Sequence, residues 1–223
     1  MYEVEFKYLG NEGGISQVVQ FLTSLPSFQE IERKEYTFET KYYDFEDQLY
    51  EAGYSLRSRE ANPTHGFKPS VELKGIGGKE DGCCETEAAK RIELTHFDDF
   101  NLSTYFSLLS DQRFPKCVPK IVFERLEEVF SIVTSRVEIT GTISINGETY
   151  KIEICKDYLY AIDKQGNKIT EPHDELEVEM KGNVDTDRIK EVDIFLKPII
   201  MDRGLDKTFD SKPKRIRNQL RLG

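Results

Sequence analysis

The chain has 223 residues, of which 38% are hydrophobic, so it is long and apolar enough to bury a core as one domain over residues 1–223. Its 41 acidic and 31 basic residues give a formal net charge of −10, which disfavours binding to duplex nucleic acid or to an anionic membrane. No run approaches the roughly 18 apolar residues that cross a bilayer, and the start lacks the features of a signal peptide, so we expect a cytoplasmic protein.

Alternation of apolar and charged residues is the dominant pattern, and it predicts strands. The first strand runs from Tyr2 to Leu9 and ends at a glycine-rich turn. A hairpin over Thr142–Cys155 turns at Asn146-Gly147, because a type I′ turn requires positive φ at both positions. The other predicted strands are Ile31–Tyr43, Tyr54–Arg59, Gly66–Lys74, Cys84–Leu94, Pro119–Thr140 and Glu175–Lys181.

Helices are fewer and lie between the strands. Ile15–Leu25 has apolar residues at helical spacing, with Ser16 as a candidate N-cap. A short helix follows Asp44, which can cap it, and ends at Gly53. Two further helices are predicted over Phe97–Ser110 and Asp185–Leu196. The predicted class is therefore α+β, mainly β.

The cysteines have neither the spacing of a disulfide framework nor that of a Cys-x-x-Cys metal pair. They are Cys83, Cys84, Cys117 and Cys155. We expect reduced thiols that are buried or partly buried.

Each alternating strand has two rows of side chains, one on each face. In the first strand the apolar row begins at Tyr2 and the charged row at Glu3. A charged row on one strand ordinarily faces solvent. Across the chain, however, the charged rows segregate by sign. The first and last strands carry mostly Glu, whereas the middle strands carry Arg57, Arg59, Lys74, Arg91 and Arg125.

Charged rows that line the inside of a curled sheet would need to be neutralised. Clustered carboxylates bind hard divalent cations such as Mg²⁺, and Arg and Lys bind phosphate oxygens. Both groups together predict a site for a metal-bound polyphosphate.

The opening Glu3-Val4-Glu5-Phe6-Lys7 resembles the ExExK signature of the CYTH superfamily, also called triphosphate tunnel metalloenzymes. Further elements follow in the family's order over residues 2 to 215. They are Tyr42-Tyr43-Asp44, the LRxR-like Leu56-Arg57-Ser58-Arg59, Leu73-Lys74-Gly75, the RxE-like Arg91-Ile92-Glu93, the ExExE-like Glu175 to Glu179, and Ser211-Lys212 with Lys214-Arg215. The resemblance implies an eight-stranded antiparallel closed β-barrel tunnel with helices packed outside.

The resemblance also implies residue roles, with Mg²⁺ or Mn²⁺ as the cofactor. The implied metal ligands are Glu3, Glu5, Glu153, Glu175, Glu177 and Glu179. The implied phosphate-binding residues are Lys7, Arg57, Arg59, Lys74, Arg91, Arg125, Lys212 and Arg215, and the implied catalytic residues are Glu5, Lys7 and Glu177. Two positions depart from the family's pattern. Cys155 stands near an acidic metal-binding position, which leaves Glu153 or Asp157 for that role, and Ile216 replaces the usual Gly after Arg215.

The favoured function is metal-dependent hydrolysis of a small triphosphate. Inorganic tripolyphosphate is the favoured substrate, and nucleoside and thiamine triphosphates are the other candidate substrates. An adenylate cyclase of class IV type, which converts ATP to cyclic AMP and pyrophosphate, is the alternative. A non-catalytic polyphosphate-binding module is the second alternative. A homodimer is compatible with the sequence.

Overall fold

The computed structural model describes residues 2–60, 68–80, 84–94, 101–109, 123–182 and 184–222. The strands in these ranges are β1 Tyr2–Gly10, β2 Phe28–Asp44, β3 Tyr54–Arg59, β4 Ser70–Glu80, β5 Cys84–Glu93, β6 Glu127–Ile145, β7 Glu148–Ile162, β8 His173–Met180 and β9 Asp206–Thr208. The helices are α1 Glu12–Ser24, α2 Gln48–Glu51, α3 Leu102–Leu109, α4 Thr186–Met201 and α5 Lys212–Leu222. A single 3₁₀ turn spans Phe123–Arg125.

The predicted α+β class is confirmed, because the described residues form a mainly β, antiparallel sheet accompanied by helices. Asn146 and Gly147 have φ of 50° and 89°, as the predicted hairpin turn requires. The sheet has nine strands instead of the predicted eight, because the three-residue strand β9 adds to β1. The predicted ends Gly66, Phe97, Ser110 and Pro119 lie outside the described residues.

The predicted N-cap of α1 is wrong. The helix begins inside the glycine-rich turn, and Asn11 caps it by accepting a hydrogen bond from the backbone N–H of Gly14 at 2.8 Å. A Cβ at Gly14 would lie 2.9 Å from the carbonyl oxygen of Arg203. The glycine therefore allows α1 to pack closely against the chain that follows α4. The helix begins at Glu12, four residues before the predicted cap Ser16.

The predicted role of Asp44 as the residue that caps the short helix α2 is confirmed. Asp44 accepts hydrogen bonds from the backbone N–H groups of Leu49 and Tyr50, although Asp47 occupies the formal N-cap position. Gly53, with φ of 84°, follows the end of the helix as predicted.

Two parts of the prediction differ from the structure along the chain. In the described residues the strand predicted from Pro119 begins at Glu127, so Arg125 lies in the 3₁₀ turn and not in a strand. The C-terminal helix α5 was not predicted. Its sequence carries few apolar residues, so its helical pattern is weak.

The strand order is β5-β4-β3-β2-β6-β7-β8-β1-β9, with antiparallel neighbours throughout. β5 also pairs with β1, where Tyr2 lies opposite Ala88 and Glu5 lies opposite Glu85. Each strand from β1 to β8 therefore has a hydrogen-bonded neighbour on both sides.

The apolar rows of the strands face the helices. One core cluster combines the apolar rows of β1, β7 and β8 with α1 and α4, and it includes the fully buried Phe6, Ile154, Val178 and Leu22. A second cluster joins β3 and β4 to α2 and α3 around Leu56 and Leu73. Because side chains alternate along a strand, the charged rows of these strands must lie on the opposite face.

Helix α5 packs against one end of that opposite, charged face. Ile216 is fully buried against Tyr42, Phe130, Leu159 and Ala161, which come from β2, β6 and β7. Tertiary contacts of this kind stabilise a short helix more than its local propensity does. Among the described residues, no helix has the length and hydropathy to span a membrane.

Candidate active site

A cavity of about 430 Å³ lies against the charged face of the sheet and is lined by residues of β1 to β8 and of α5. That volume is in the range of small-molecule sites, about 300–1,000 Å³. The charged lining residues include Glu5, Lys7, Arg57, Arg59, Lys74, Arg91, Arg136, Glu138, Glu153, Glu177, Glu179, Lys181 and Lys212. The side chains of Glu177 and Arg57 are only 13% and 12% exposed. The charged rows therefore converge on this cavity, where Glu177 and Arg57 are largely shielded from bulk water.

Three glutamates form a row across adjacent strands, which we call the acidic row: Glu5, Glu179 and Glu153. Glu5 lies opposite Glu179, and Glu179 lies opposite Glu153. Like charges at directly opposite positions of a sheet repel each other. Lysines offset part of this repulsion: Lys7 Nζ lies 3.0 Å from Glu5, and Lys181 Nζ lies 2.7 Å from Glu179 and 3.1 Å from Glu153.

A second set of acidic residues is bound by cations deeper in the molecule. Arg136 donates to both carboxylate oxygens of Asp157, at 2.7 and 2.6 Å, and to Glu177 at 2.8 Å. Lys212 Nζ lies 2.9 Å from Asp157 and 2.7 Å from Glu177. Burial by itself would raise the pKa of Glu177, but Lys212 and Arg136 hold that pKa well below its ordinary value. Glu177 is therefore ionised at neutral pH.

Glu175 belongs to the same buried set. It is inaccessible to solvent, contacts the guanidinium of Arg215, and lies 3.3 Å from Lys212 Nζ. Arg215 also donates to the backbone carbonyl of Asp210. These pairs attach the start of α5 to β8.

A basic group lies on β3, β4 and β5. Arg57 Nε donates to Glu72 at 2.6 Å, and Arg91 lies 3.4 Å from the other oxygen of Glu72. Lys74 Nζ lies 3.6 Å from Glu5, so this basic group borders the acidic row. A single carboxylate thus orients two arginines toward the cavity, a geometry suited to phosphate oxygens.

Arg59 shares this basic environment. Its Nε donates to Thr40 Oγ1 at 3.1 Å, and no carboxylate within the described ranges lies at ion-pair distance from it. Burial, followed by repulsion from Arg57, lowers the pKa of Arg59 to about 10. An anion in the cavity would relieve this cost.

The oxygen donors of the cavity fit a hard divalent cation. Glu153 of the acidic row also has Glu138 and Cys155 as neighbours, since a carboxylate oxygen of each glutamate and the sulfur of Cys155 lie within 4.8 Å of one another. Burial raises the pKa of the Cys155 thiol well above its ordinary value, so the sulfur stays protonated. Mg²⁺ and Mn²⁺ prefer oxygen ligands, which makes the glutamates the fitting donors.

The structure brings together most of the residues singled out in the sequence. Those that line the cavity are Glu5, Lys7, Arg57, Arg59, Lys74, Arg91, Glu153, Glu177, Glu179 and Lys212. Glu175 and Arg215 are buried behind it, bonded to each other. Arg125 lies apart, exposed and stacked on Phe45 at 5.3 Å. The side chain of Glu3 lies outside the described part of the structure.

The sequence analysis assigned no role to Arg136, Glu138 or Glu72. The signal was present, because Arg136 and Glu138 alternate with the buried Ile139 and half-buried Val137 on β6. Of the two candidates for the acidic role near Cys155, Glu153 lines the cavity, whereas Asp157 is fully buried in its pair with Arg136.

Comparison with solved structures finds several chains of similar fold. HpAC1 from Hippeastrum, named as a candidate adenylyl cyclase with a dominant triphosphatase activity, has a TM-score of 0.54 at 14% identity, covering 97% of this chain and 95% of its own. A candidate adenylate cyclase from Vibrio parahaemolyticus has a TM-score of 0.54 at 17% identity, covering 98% of each chain. The PH1819 protein from Pyrococcus horikoshii has a TM-score of 0.50 at 17% identity, covering 97% of this chain and 99% of its own.

No family model and no curated protein sequence matches the chain. The structural neighbours nevertheless share its fold over nearly their full length. At 14–17% identity these comparisons show a shared fold, and membership of the CYTH superfamily stays a prediction from the sequence motifs.

Proposed function

We propose that the protein hydrolyses small triphosphates in a metal-dependent reaction, with inorganic tripolyphosphate as the preferred substrate. The observation that carries the proposal is that the acidic row and the basic group face one cavity. The triphosphatase activity named for HpAC1 supports the same reaction class.

In this proposal the pairing of β1 with β5 closes strands β1 to β8 into a tunnel. A closed sheet exposes no strand edge and holds charged side chains at fixed positions around its interior. Water is then restricted at the site, which strengthens every electrostatic contact with a bound triphosphate.

The acidic row would hold the metal ion, Mg²⁺ or Mn²⁺, together with the predicted ligand Glu3. Glu177 and Glu175 are less suited to this role than predicted, because Arg136, Lys212 and Arg215 already neutralise them. When bound, the metal would neutralise phosphate charge and activate water for attack.

The cations of the cavity would bind the triphosphate oxygens. Lys7, Arg57 and Arg59 line the cavity beside Lys74, and Arg91 stands at its more exposed side, with 48% of its side chain accessible. Their charges would stabilise the transferring phosphoryl group and the departing phosphate chain. Arg125 would contribute nothing, and Arg136 would take its place.

Glu177 would orient the attacking water. Lys212 and Arg136 keep its carboxylate ionised, so it can accept a hydrogen bond from water at neutral pH. Lys7 lies opposite Glu177 in the sheet and would stabilise the developing negative charge on phosphate.

The alternative reaction is cyclisation of ATP. Two structural neighbours carry adenylyl or adenylate cyclase in their names, which favours this second candidate. A module that binds polyphosphate without turnover is less favoured, since three adjacent glutamates would weaken anion binding in the absence of a metal.

Product analysis distinguishes these functions. The purified protein is incubated with tripolyphosphate, ATP or thiamine triphosphate, each with Mg²⁺ or Mn²⁺. We expect free phosphate, fastest from tripolyphosphate and lost on addition of EDTA. Cyclic AMP with pyrophosphate would establish the cyclase instead, and binding without any product would establish the binding module.

Replacement of Glu5 by Gln tests the metal-binding role. We expect Glu5→Gln to lower phosphate release by at least about 100-fold, because a neutral amide is a poor ligand for a hard cation. Its unfolding midpoint should stay close to wild type. Glu32→Gln is the matched control, since Glu32 pairs with Lys34 but is 54% exposed on β2 and does not line the cavity. Full activity of Glu5→Gln would overturn the assignment.

A further inference from the structure

The inward row of β2 differs from the other inward rows because it carries no charge at Tyr36, Phe38 and Thr40. Tyr36 and Phe38 line the cavity and belong to none of the apolar core clusters among the described residues. Their ring centroids lie 5.5 Å apart, and both rings stand beside charged side chains of the lining.

Each member of this row contacts a charged side chain from a neighbouring strand. The hydroxyl of Tyr36 donates to Glu138 at 2.5 Å. The ring centroid of Phe38 lies 4.8 Å from the guanidinium carbon of Arg59 and 5.6 Å from that of Arg136. Thr40 accepts from Arg59, as described above.

The Phe38 ring therefore touches two cations at once. Two guanidiniums near each other repel, and Arg57 adds to the repulsion on Arg59. The negative face of an aromatic ring attracts a cation within about 6 Å, more strongly where water is excluded. A ring shared by two arginines consequently restricts where both can move, without neutralising the charge that a phosphate would bind.

A carboxylate in the same place would act differently. It would pair with Arg59 and compete with an incoming anion for the same N–H groups. Thr40 and Phe38 instead offer a hydroxyl and a π-face, which hold the guanidinium and leave its other N–H groups available for phosphate oxygens.

We propose that Phe38 and Thr40 are positioning residues that preorganise Arg59, and through the shared ring Arg136, for triphosphate binding. This inference rests on the proposed function of the cavity. Neither residue takes part in bond making. Both act by reducing the freedom that Arg59 would otherwise lose when the anion binds.

The test measures tripolyphosphate binding by calorimetry in EDTA, where hydrolysis stops and the cations of the cavity act against the acidic row. The KM for tripolyphosphate with Mg²⁺ is recorded for the same variants and decides the question if binding in EDTA is too weak to measure. We expect Phe38→Leu to weaken binding about fivefold to tenfold, because two cation–π contacts are lost. Phe38→Tyr keeps the ring and should bind within about twofold of wild type. Thr40→Val, which is nearly isosteric, should weaken binding about threefold to tenfold, and Thr40→Ser should restore it.

The matched control is Phe21→Leu. Phe21 on α1 also carries a guanidinium over its ring, that of Arg203 at 4.5 Å, but it lies outside the cavity lining. Its variant should bind tripolyphosphate like wild type. Unfolding midpoints are recorded for all variants, so that a change in affinity at unchanged stability separates positioning from a merely structural role.

Two failures are distinguishable. If wild type binds tripolyphosphate and both Phe38→Leu and Thr40→Val bind equally well, the inference is overturned while the proposed function stands. It is also overturned if Phe38→Tyr binds as weakly as Phe38→Leu. If wild type neither binds nor hydrolyses a triphosphate, the proposed function fails. Should Phe38→Leu not fold, the pair Thr40→Val and Thr40→Ser decides the question.

Discussion

Arg136 illustrates how a buried charge is accommodated in this protein. It forms a bidentate pair with Asp157, a further bond to Glu177 and a contact with the Phe38 ring. Bidentate contacts between a guanidinium and carboxylates offset the cost of removing both charges from water. Loss of Arg136 would leave two buried carboxylates, Asp157 and Glu177, to share Lys212, which is a costly outcome.

Alanine variants of Arg136 and Arg125 test which of these two arginines contributes to the cavity. Arg136→Ala should lower the free energy of unfolding by about 3–5 kcal/mol, because Asp157 loses its main partner, and should greatly reduce triphosphate hydrolysis. Arg125→Ala, at an exposed turn, should stay close to wild type in both. Urea unfolding and phosphate release check the two effects. Equal losses in both variants would contradict the assignment.

Glu72 gives the free energy of unfolding a dependence on pH. Burial by itself would raise its pKa, but Arg57, Lys74 and Arg91 lower that pKa well below its ordinary value. A carboxyl with a lower pKa in the folded state stabilises the fold above its unfolded pKa, about 4.3 for Glu, and this contribution is lost as pH falls through the folded pKa.

The measurement compares wild type with Glu72→Gln by urea unfolding between pH 3 and pH 7. Wild type should be the more stable of the two from about pH 5 upward, with a difference that stays nearly constant. The difference should shrink as pH falls below about 4.3. A difference that is independent of pH over this range would show that the charge of Glu72 does not stabilise the fold.

At the scale of elements, α5 links the two kinds of interior. Its first turn brings Lys212 and Arg215 to the carboxylates of β7 and β8, and Ile216 enters the apolar cluster of β2, β6 and β7. Further along, Arg217 and Arg221 pair with Asp47 and stack on Tyr50. The helix is thus attached through ion pairs at both ends and through a buried aliphatic side chain between them.

Truncation of Ile216 tests how far α5 depends on that contact. Ile216→Ala should lower the free energy of unfolding by about 2–5 kcal/mol, as expected for a fully buried aliphatic residue. Leu220→Ala on the same helix is the control, because Leu220 is 41% exposed and should cost far less. Chemical denaturation of both variants gives the comparison. Equal losses in the free energy of unfolding would argue against the packing of Ile216 against the sheet.

At the scale of the whole molecule, the charged face of the sheet lines a cavity instead of facing open solvent. Antiparallel sheets ordinarily place one face on a core and the other in water. Here the apolar rows pack against helices on one side, and the charged rows surround a cavity on the other. The mutual repulsion within each set of charges is the free energy that a metal and a triphosphate would recover on binding.

This arrangement predicts a cooperative effect of ligands on stability. A ligand that binds the folded state raises the unfolding midpoint according to its concentration and affinity. Mg²⁺ with tripolyphosphate should raise the midpoint by more than the sum of the two added singly, because acidic and basic groups share one cavity. In Glu5→Gln the shift with tripolyphosphate alone should remain and the additional shift with Mg²⁺ should disappear. Purely additive shifts in wild type would contradict a shared site.

Several features of the protein were predictable from local pattern. Alternation assigned Glu5 with Lys7, and Arg57 with Arg59, to the same face of their strands, and the structure confirms both pairs in the cavity lining. The hairpin at Asn146-Gly147 was predictable because few residues adopt its backbone geometry. These features depend on neighbours within a few residues along the chain.

Other features could not be predicted in this way. The strand boundary at Glu127 moved Arg125 out of the sheet, and α5 formed from a segment with a weak helical pattern. The helix is stabilised by Asp44, Asp47 and the apolar cluster around Ile216, all distant in sequence from it. Tertiary contacts outweigh local propensity in such segments.

The amino-acid sequence by itself determined which residues share a face of each strand, because a period of two is a property of the extended backbone. It did not determine which face turns inward, since an alternating strand has the same pattern whether its charged row meets water or a cavity. Only the pairing of β1 with β5 and β8, and the covering of the apolar rows by helices, decided that the charges face each other. Burying the apolar rows against helices releases more free energy than hydrating the charged rows would, provided that the charges are paired.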